Sequence, residues 1–190
     1  MFSPLTALLL TAAAPAESPE AVLKTLPAKI GAFKGGPPHV YDDPRLGASR
    51  RYADSAGAVL SIYLYDLGVQ GIQDGSEDET VKKAYAQAKQ DVRTYERLGH
   101  YRNLKVLEEN PREIPLKGER SLKVLSVTYS FDFVDRETKK AEPVVSQLLV
   151  TGLRGQVLKL RVTRPADRGK DRAEEIEKAV RTLIRSLAGE

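Results

Sequence analysis

Apolar residues recur at two periods along this chain, and the changes of period mark its elements. Ala58 to Asp66 alternates: Leu60, Ile62 and Leu64 point one way, while Val59, Ser61, Tyr63 and Tyr65 point the other. Residues 49–54 read as a preceding strand, joined through a turn at Ser55-Ala56-Gly57, which is hairpin grammar. Both faces of the second strand are partly apolar. That predicts cover on both sides, or an aromatic surface on one.

Over 77–98 the period lengthens. Val81, Tyr85, Ala88, Val92 and Tyr95 follow the spacing of one helix face. Ser76 with Glu79 reads as a capping box, in which hydroxyl and carboxylate satisfy free backbone N–H groups at the helix start. Glu77, Asp78 and Glu79 suit the positive end of the helix dipole. Gly99 supplies a left-handed stop.

Four strands follow, at about 103–109, 121–134, 143–152 and 156–163. The longest places Leu125, Val127, Tyr129, Phe131 and Phe133 on one face and Ser126, Thr128, Ser130 and Asp132 on the other. The short connections at 135–142 and 152–155 force antiparallel neighbours, so the last three strands form a meander. A closing helix over 168–188 carries Ala173, Ile176, Val180, Leu183, Ile184 and Leu187 as one stripe. Shorter strands around 32–34 and 39–41 flank the loop Gly35-Gly36-Pro37-Pro38. The order β-β-α-β-β-β-β-α predicts an α+β domain with a mostly antiparallel sheet and helices packed on its faces.

The first sixteen residues stand apart. Met1 to Ala16 holds no charged side chain and an apolar run around Leu8-Leu9-Leu10. The run is shorter than the ~20 apolar residues a bilayer span requires. Ala14-Pro15-Ala16 has the small-x-small form of a signal-peptidase site, although no Lys or Arg precedes the run. The expectation is a signal peptide over 1–16, a single α+β domain over 17–190, and a periplasmic or secreted mature protein without a membrane span. The absence of any Asn-x-Ser/Thr acceptor makes a bacterial envelope the simplest setting.

Composition narrows the chemistry. The 190 residues contain no cysteine, no tryptophan and two histidines. Disulfides, thiol nucleophiles and thiolate metal sites are thereby excluded. The net charge of +4 is uneven: residues 101–190 carry 19 basic and 14 acidic side chains. The basic residues are scattered rather than gathered into an aromatic-laced stripe, which argues against nucleic acid.

Element order resembles the PsbP-like fold family, whose best-known members are extrinsic subunits of photosynthetic oxygen-evolving complexes. The resemblance spans roughly residues 30–188 and implies a fold, not an activity. The segments Tyr41-Asp42-Asp43-Pro44, Ser61-Ile62-Tyr63-Leu64-Tyr65-Asp66-Leu67-Gly68 and Lys159-Leu160-Arg161-Val162-Thr163 are also similar to those of uncharacterised secreted bacterial proteins. That kinship implies secretion and no activity.

Catalytic signatures are missing. There is no Gly-x-Ser-x-Gly elbow, Walker loop or Gly-x-Gly-x-x-Gly. His39 and His100 are 61 positions apart, and no spacing recommends them as a metal pair. Asp74, Ser76 and Asp78 imitate the start of a calcium loop, but Glu79 stands where its glycine belongs and Tyr85 where its bidentate Glu belongs. Asp42 and Asp43 read as turn residues before Pro44. No cofactor and no metal is expected, and no catalytic residue is assigned.

Two groups remain as binding candidates. One is a polar sheet face: a meander paired in sequence brings Thr128 and Ser130 towards Gln147, then Lys159 and Arg161, and the Arg161 fork suits a carboxylate or phosphate. The other is the tyrosines, seven of eight falling between 41 and 101, with Tyr63 and Tyr65 on one strand face. The leading expectation is a non-catalytic binding or assembly-accessory domain whose partner is an envelope protein or a small anionic ligand. An enzyme using carboxylates distant in sequence and a structural envelope component are the alternatives. Oligomeric state is open.

Overall fold

The computed structural model describes residues 17–167 and 170–190. The segment 1–16, expected to be the signal peptide, lies outside them. The chain is α+β, with helices α1 (Pro19–Thr25), α2 (Glu79–Arg97) and α3 (Lys170–Leu187). Its strands are β1 (Lys29–Ile30), β2 (Phe33–Gly35), β3 (His39–Val40), β4 (Ala48–Ala53), β5 (Val59–Tyr65), β6 (Tyr101–Glu109), β7 (Arg112–Pro115), β8 (Ser121–Val134), β9 (Ala141–Leu153) and β10 (Gln156–Pro165).

All ten strands join one antiparallel sheet in the order β1-β2-β4-β5-β10-β9-β8-β6. β3 shares an edge of β4 with β2, and β7 shares an edge of β8 with β6. The β8-β9-β10 meander is as the short turns require. The decisive step is non-local. β10 inserts between β9 and β5, pairing Arg161 with Ser61 and Lys159 with Tyr63 across 100 and 96 positions.

Helices cover both faces. Under α3 lie Leu60, Ile62 and Leu64 of β5, Leu158, Leu160 and Val162 of β10, and Leu149 of β9. α3 contributes Ile176, Val180, Leu183, Ile184 and Leu187, all buried, whereas Ala173 at the end of the expected stripe is exposed. Each such large side chain contributes about 1.5–3 kcal/mol before conformational entropy is subtracted. The other face packs Val127, Tyr129, Leu148, Val150 and Val157 under Val81, Ala84, Ala88 and Val92 of α2.

Two details of α2 differ from the sequence reading. Asp78, not Ser76, is the N-cap, its carboxylate accepting from Thr80 N at 2.7 Å. Ser76 is buried and donates to Glu77 instead. Tyr95, expected on the buried stripe, is 43% exposed and stacks on Tyr101 at the start of β6. The start of α2 is pinned by close backbone approach. Gly75 and Gly152 exchange N–H···O bonds of 2.9 and 2.8 Å, and a Cβ on Gly152 would lie 1.9 Å from the Gln73 carbonyl oxygen.

Helix α1 was not legible in the sequence. It packs Val22, Leu23 and Leu26 on the α3 face. Buried Arg50 secures it: Nη1 donates to the carbonyls of Leu23 and Leu26 at 2.9 and 2.6 Å, and Nε donates to Gly36 O at 2.9 Å. The guanidinium thereby meets the helix end that carries unpaired carbonyls. On the same face, Arg172 of α3 forms an ion pair with the buried carboxylate of Asp54, which also orders the β4–β5 turn through Ala56 N and Ala58 N.

Candidate functional site

Strand alternation sorts the seven candidate residues onto two faces. Thr128 pairs with Gln147, and Gln147 with Val162, whose side chain lies in the α3 core. Ser130 has the same parity on β8. These three therefore face α3. Thr128 and Gln147 line a cleft of about 180 Å³ with Arg164, Ile176 and Glu177. Lys159 and Arg161 have the opposite parity on β10 and face α2, together with Tyr63 and Tyr65. The expected single polar face running from Thr128 to Arg161 is thus corrected. Its two halves are separated by the thickness of the sheet.

The α2 face unites instead the two groups that the sequence presents separately. Lys159 Nζ lies 4.4 Å from the Tyr63 ring centre and 5.6 Å from that of Tyr65. Arg161 Cζ lies 5.5 Å from the Tyr101 ring centre and 5.9 Å from that of Phe131. Arg161 Nε donates to Ser146 Oγ at 3.1 Å, and Ser146 in turn shares a 2.9 Å hydrogen bond with Thr163. Tyr101 is itself wedged between Phe131 at 4.1 Å and Tyr95 at 5.4 Å. The result is two half-buried cations laid on an aromatic shelf.

Cross-strand register extends the shelf. Arg51, Ser61 and Arg161 form one row across β4, β5 and β10, and Ser49, Tyr63 and Lys159 form the next. Tyr41 donates to Ser49 Oγ at 3.2 Å at the rim. Arg51 is exposed.

Charge at this place is met by no ion pair. Among the described residues no carboxylate lies within ion-pair distance of Lys159 or Arg161. Burial holds the Lys159 ammonium below the usual lysine range; Asp91 on α2 favours its charged form from a distance, and Arg161 opposes it. Burial raises the Tyr63 phenol, with smaller opposing pulls from Ser61 and Arg161. Burial raises Tyr65 to about 12. Both phenols are neutral donors at physiological pH.

The remaining candidates have local roles. Asp43 caps the turn at Pro44–Leu46, accepting from Arg45 N at 3.0 Å and pairing with the Arg45 side chain. Asp74 accepts from Arg154 N at 2.7 Å, and Asp78 caps α2. His39 packs edge-on against Tyr41, and His100 packs against Tyr95 and meets Arg136 at 2.9 Å. Among the described residues no three His, Asp or Glu side chains converge as metal ligands, and no helix is long and apolar enough to cross a membrane.

Sequence reasoning missed Tyr101, Phe131 and Ser146 as parts of the site. Tyr101 opens an edge strand, and Phe131 and Ser146 lie on strands whose order relative to β5 is set only by the fold. No protein-family model matches the chain, and no curated protein matches it.

Proposed function

We propose that this protein is a non-catalytic binding domain of the bacterial periplasm or exterior, and that its α2 face takes an anionic group of a ligand or partner protein. The observation that carries this reading is the pair Lys159 and Arg161, half-buried on aromatic rings, with no carboxylate in ion-pair contact and only Asp91 acting on Lys159 from a distance. Desolvating two cations without a counter-charge costs stability. A binding surface is the setting in which such a cost is offset, by the ligand. The Arg161 fork is already oriented by Ser146 and the rings, so little side-chain entropy is lost on binding.

Extracytoplasmic residence rests on the uncharged, apolar segment before Glu17 and its Ala14-Pro15-Ala16 pattern. Kinship with PsbP-like domains is proposed on the same footing, from the order of helices and strands. N-terminal sequencing of protein isolated from its native envelope should return Glu17; an intact Met1 would refute export by cleavage.

The binding reading is tested by thermal unfolding at constant ionic strength with chloride exchanged for oxyanions. Wild type should gain melting temperature as RT ln(1 + [L]/Kd) requires. Arg161→Ala should unfold normally in chloride and lose that gain. An equal gain in both proteins would sink the proposal.

A further inference from the structure

We infer that the anion this face accepts is a dianionic phosphate group of the monoester type, gripped jointly by Lys159 and Arg161. The inference rests on the anion-binding reading above and adds the chemical class.

Donor geometry supplies the first argument. Arg161 uses Nε on Ser146, which leaves the two terminal guanidinium nitrogens as an end-on fork. Among the described residues the Lys159 ammonium has no hydrogen-bond acceptor, because its neighbours are the faces of Tyr63 and Tyr65. The Tyr63 hydroxyl is influenced by both Arg161 and Ser61 and so belongs to the same locale. The place is rich in donors. A phosphate monoester brings three acceptor oxygens; a carboxylate brings two.

Charge supplies the second. The two cations stand two residues apart on one strand face, and Arg161 disfavours the charged form of Lys159. A carboxylate would neutralise one of them. A phosphate monoester carries about −1.5 to −2 at pH 7 and neutralises both. The surrounding titratable groups leave that balance positive. They are Tyr41 at the rim, Tyr65 on the same strand as Tyr63, Asp91 and Tyr95 on α2, Arg51 on β4, Tyr101 on β6 and Tyr129 on β8. Of these only Asp91 is anionic, and it is exposed and outside ion-pair distance of Lys159.

The experiment is calorimetric titration of the whole mature chain with phenyl phosphate and with benzoate in about 0.15 M salt, which screens long-range attraction. At pH 7.5 phenyl phosphate should bind at least ~10-fold tighter than benzoate, a difference of one decade in Kd. That advantage should fall at pH 5, where the monoester, with second pKa near ~6, becomes a monoanion. Arg161→Gln should abolish binding of both ligands. Lys159→Met should erase the preference for phosphate while retaining weak binding of both. Equal affinity for the two ligands would overturn the phosphate assignment and leave the anion-binding reading standing. Binding of neither, with the fold intact by circular dichroism, would overturn both.

Glycerol phosphate and vesicles containing phosphatidate separate a free from a lipid-borne monoester. Capture by either, lost in Arg161→Gln, supports the assignment and identifies the source. Vesicle capture that survives Arg161→Gln counts against it.

Discussion

Arg161 Nε donates to Ser146 Oγ at 3.1 Å, across the β9–β10 pair, and this one bond aims the guanidinium along the Tyr101–Phe131 shelf. Ser146 is buried and has Thr163 as a second hydroxyl partner. Ser146→Ala should leave the fold intact. It should weaken oxyanion-dependent stabilisation several-fold, because the acceptor that aims the Arg161 guanidinium is lost. Thermal shifts measured with and without the oxyanion check this; an undiminished shift would show that the rings alone orient Arg161.

Lys159 bears on stability in the opposite sense. Its folded-state proton affinity is depressed by burial. The folded state therefore disfavours the charged amine, at a cost fully present below the folded pKa. That cost is relieved as pH rises from the folded pKa towards the ordinary value near ~10.4. Lys159→Met should be more stable than wild type at pH 7, by about 1 kcal/mol, as expected when a buried, unpaired charge gives way to an apolar isostere. The difference should shrink towards pH 10. Denaturant midpoints at the two pH values decide it.

Glu177 predicts the behaviour in acid. Burial pushes its carboxyl up, but hydrogen bonds from Arg112 and Arg181 more than offset this and hold it low. Its contribution is fully present above the ordinary glutamate pKa near ~4.3 and is lost as pH falls through the depressed folded value. Glu177→Gln should lose up to about 1 kcal/mol at pH 7. It should also show a flatter loss of stability below pH ~4.3. An unchanged acid limb would remove Glu177 from the account.

Ile184 tests the docking of α3. It is 1% exposed and packs among Leu183, Val180 and the β5 and β10 leucines. Ile184→Asp places an unpaired carboxylate in that layer, beyond what a domain of ordinary stability tolerates. The variant should show no cooperative melt. Unfolding at the wild-type temperature would mean α3 is peripheral.

The neighbouring pairs Thr128–Gln147 and Lys159–Tyr63 show how far local patterning reached. Alternation reports parity within one strand, so Lys159 and Arg161 were correctly paired, as were Thr128 and Ser130 and, on β5, Tyr63 and Tyr65. The long strands, α2, α3 and the meander were equally legible, because amphipathic period and short turns act over a few residues. Helix α1 and strand β7 were not. A seven-residue helix shows barely two turns of periodicity, and β7 has one buried residue, Ile114, before Pro115.

What decided the candidate site was the insertion of β10 between β5 and β9. Parity on β8 carries no information about parity on β10 until hydrogen-bond register relates the two strands. That register set Thr128 opposite Gln147 and Val162 on the α3 face, and Lys159 beside Tyr63 on the α2 face. Which residues form strands and helices follows from side-chain chemistry repeated at short period. Which cations meet which tyrosines follows from the burial of two apolar faces at once, a condition that only the assembled sheet satisfies.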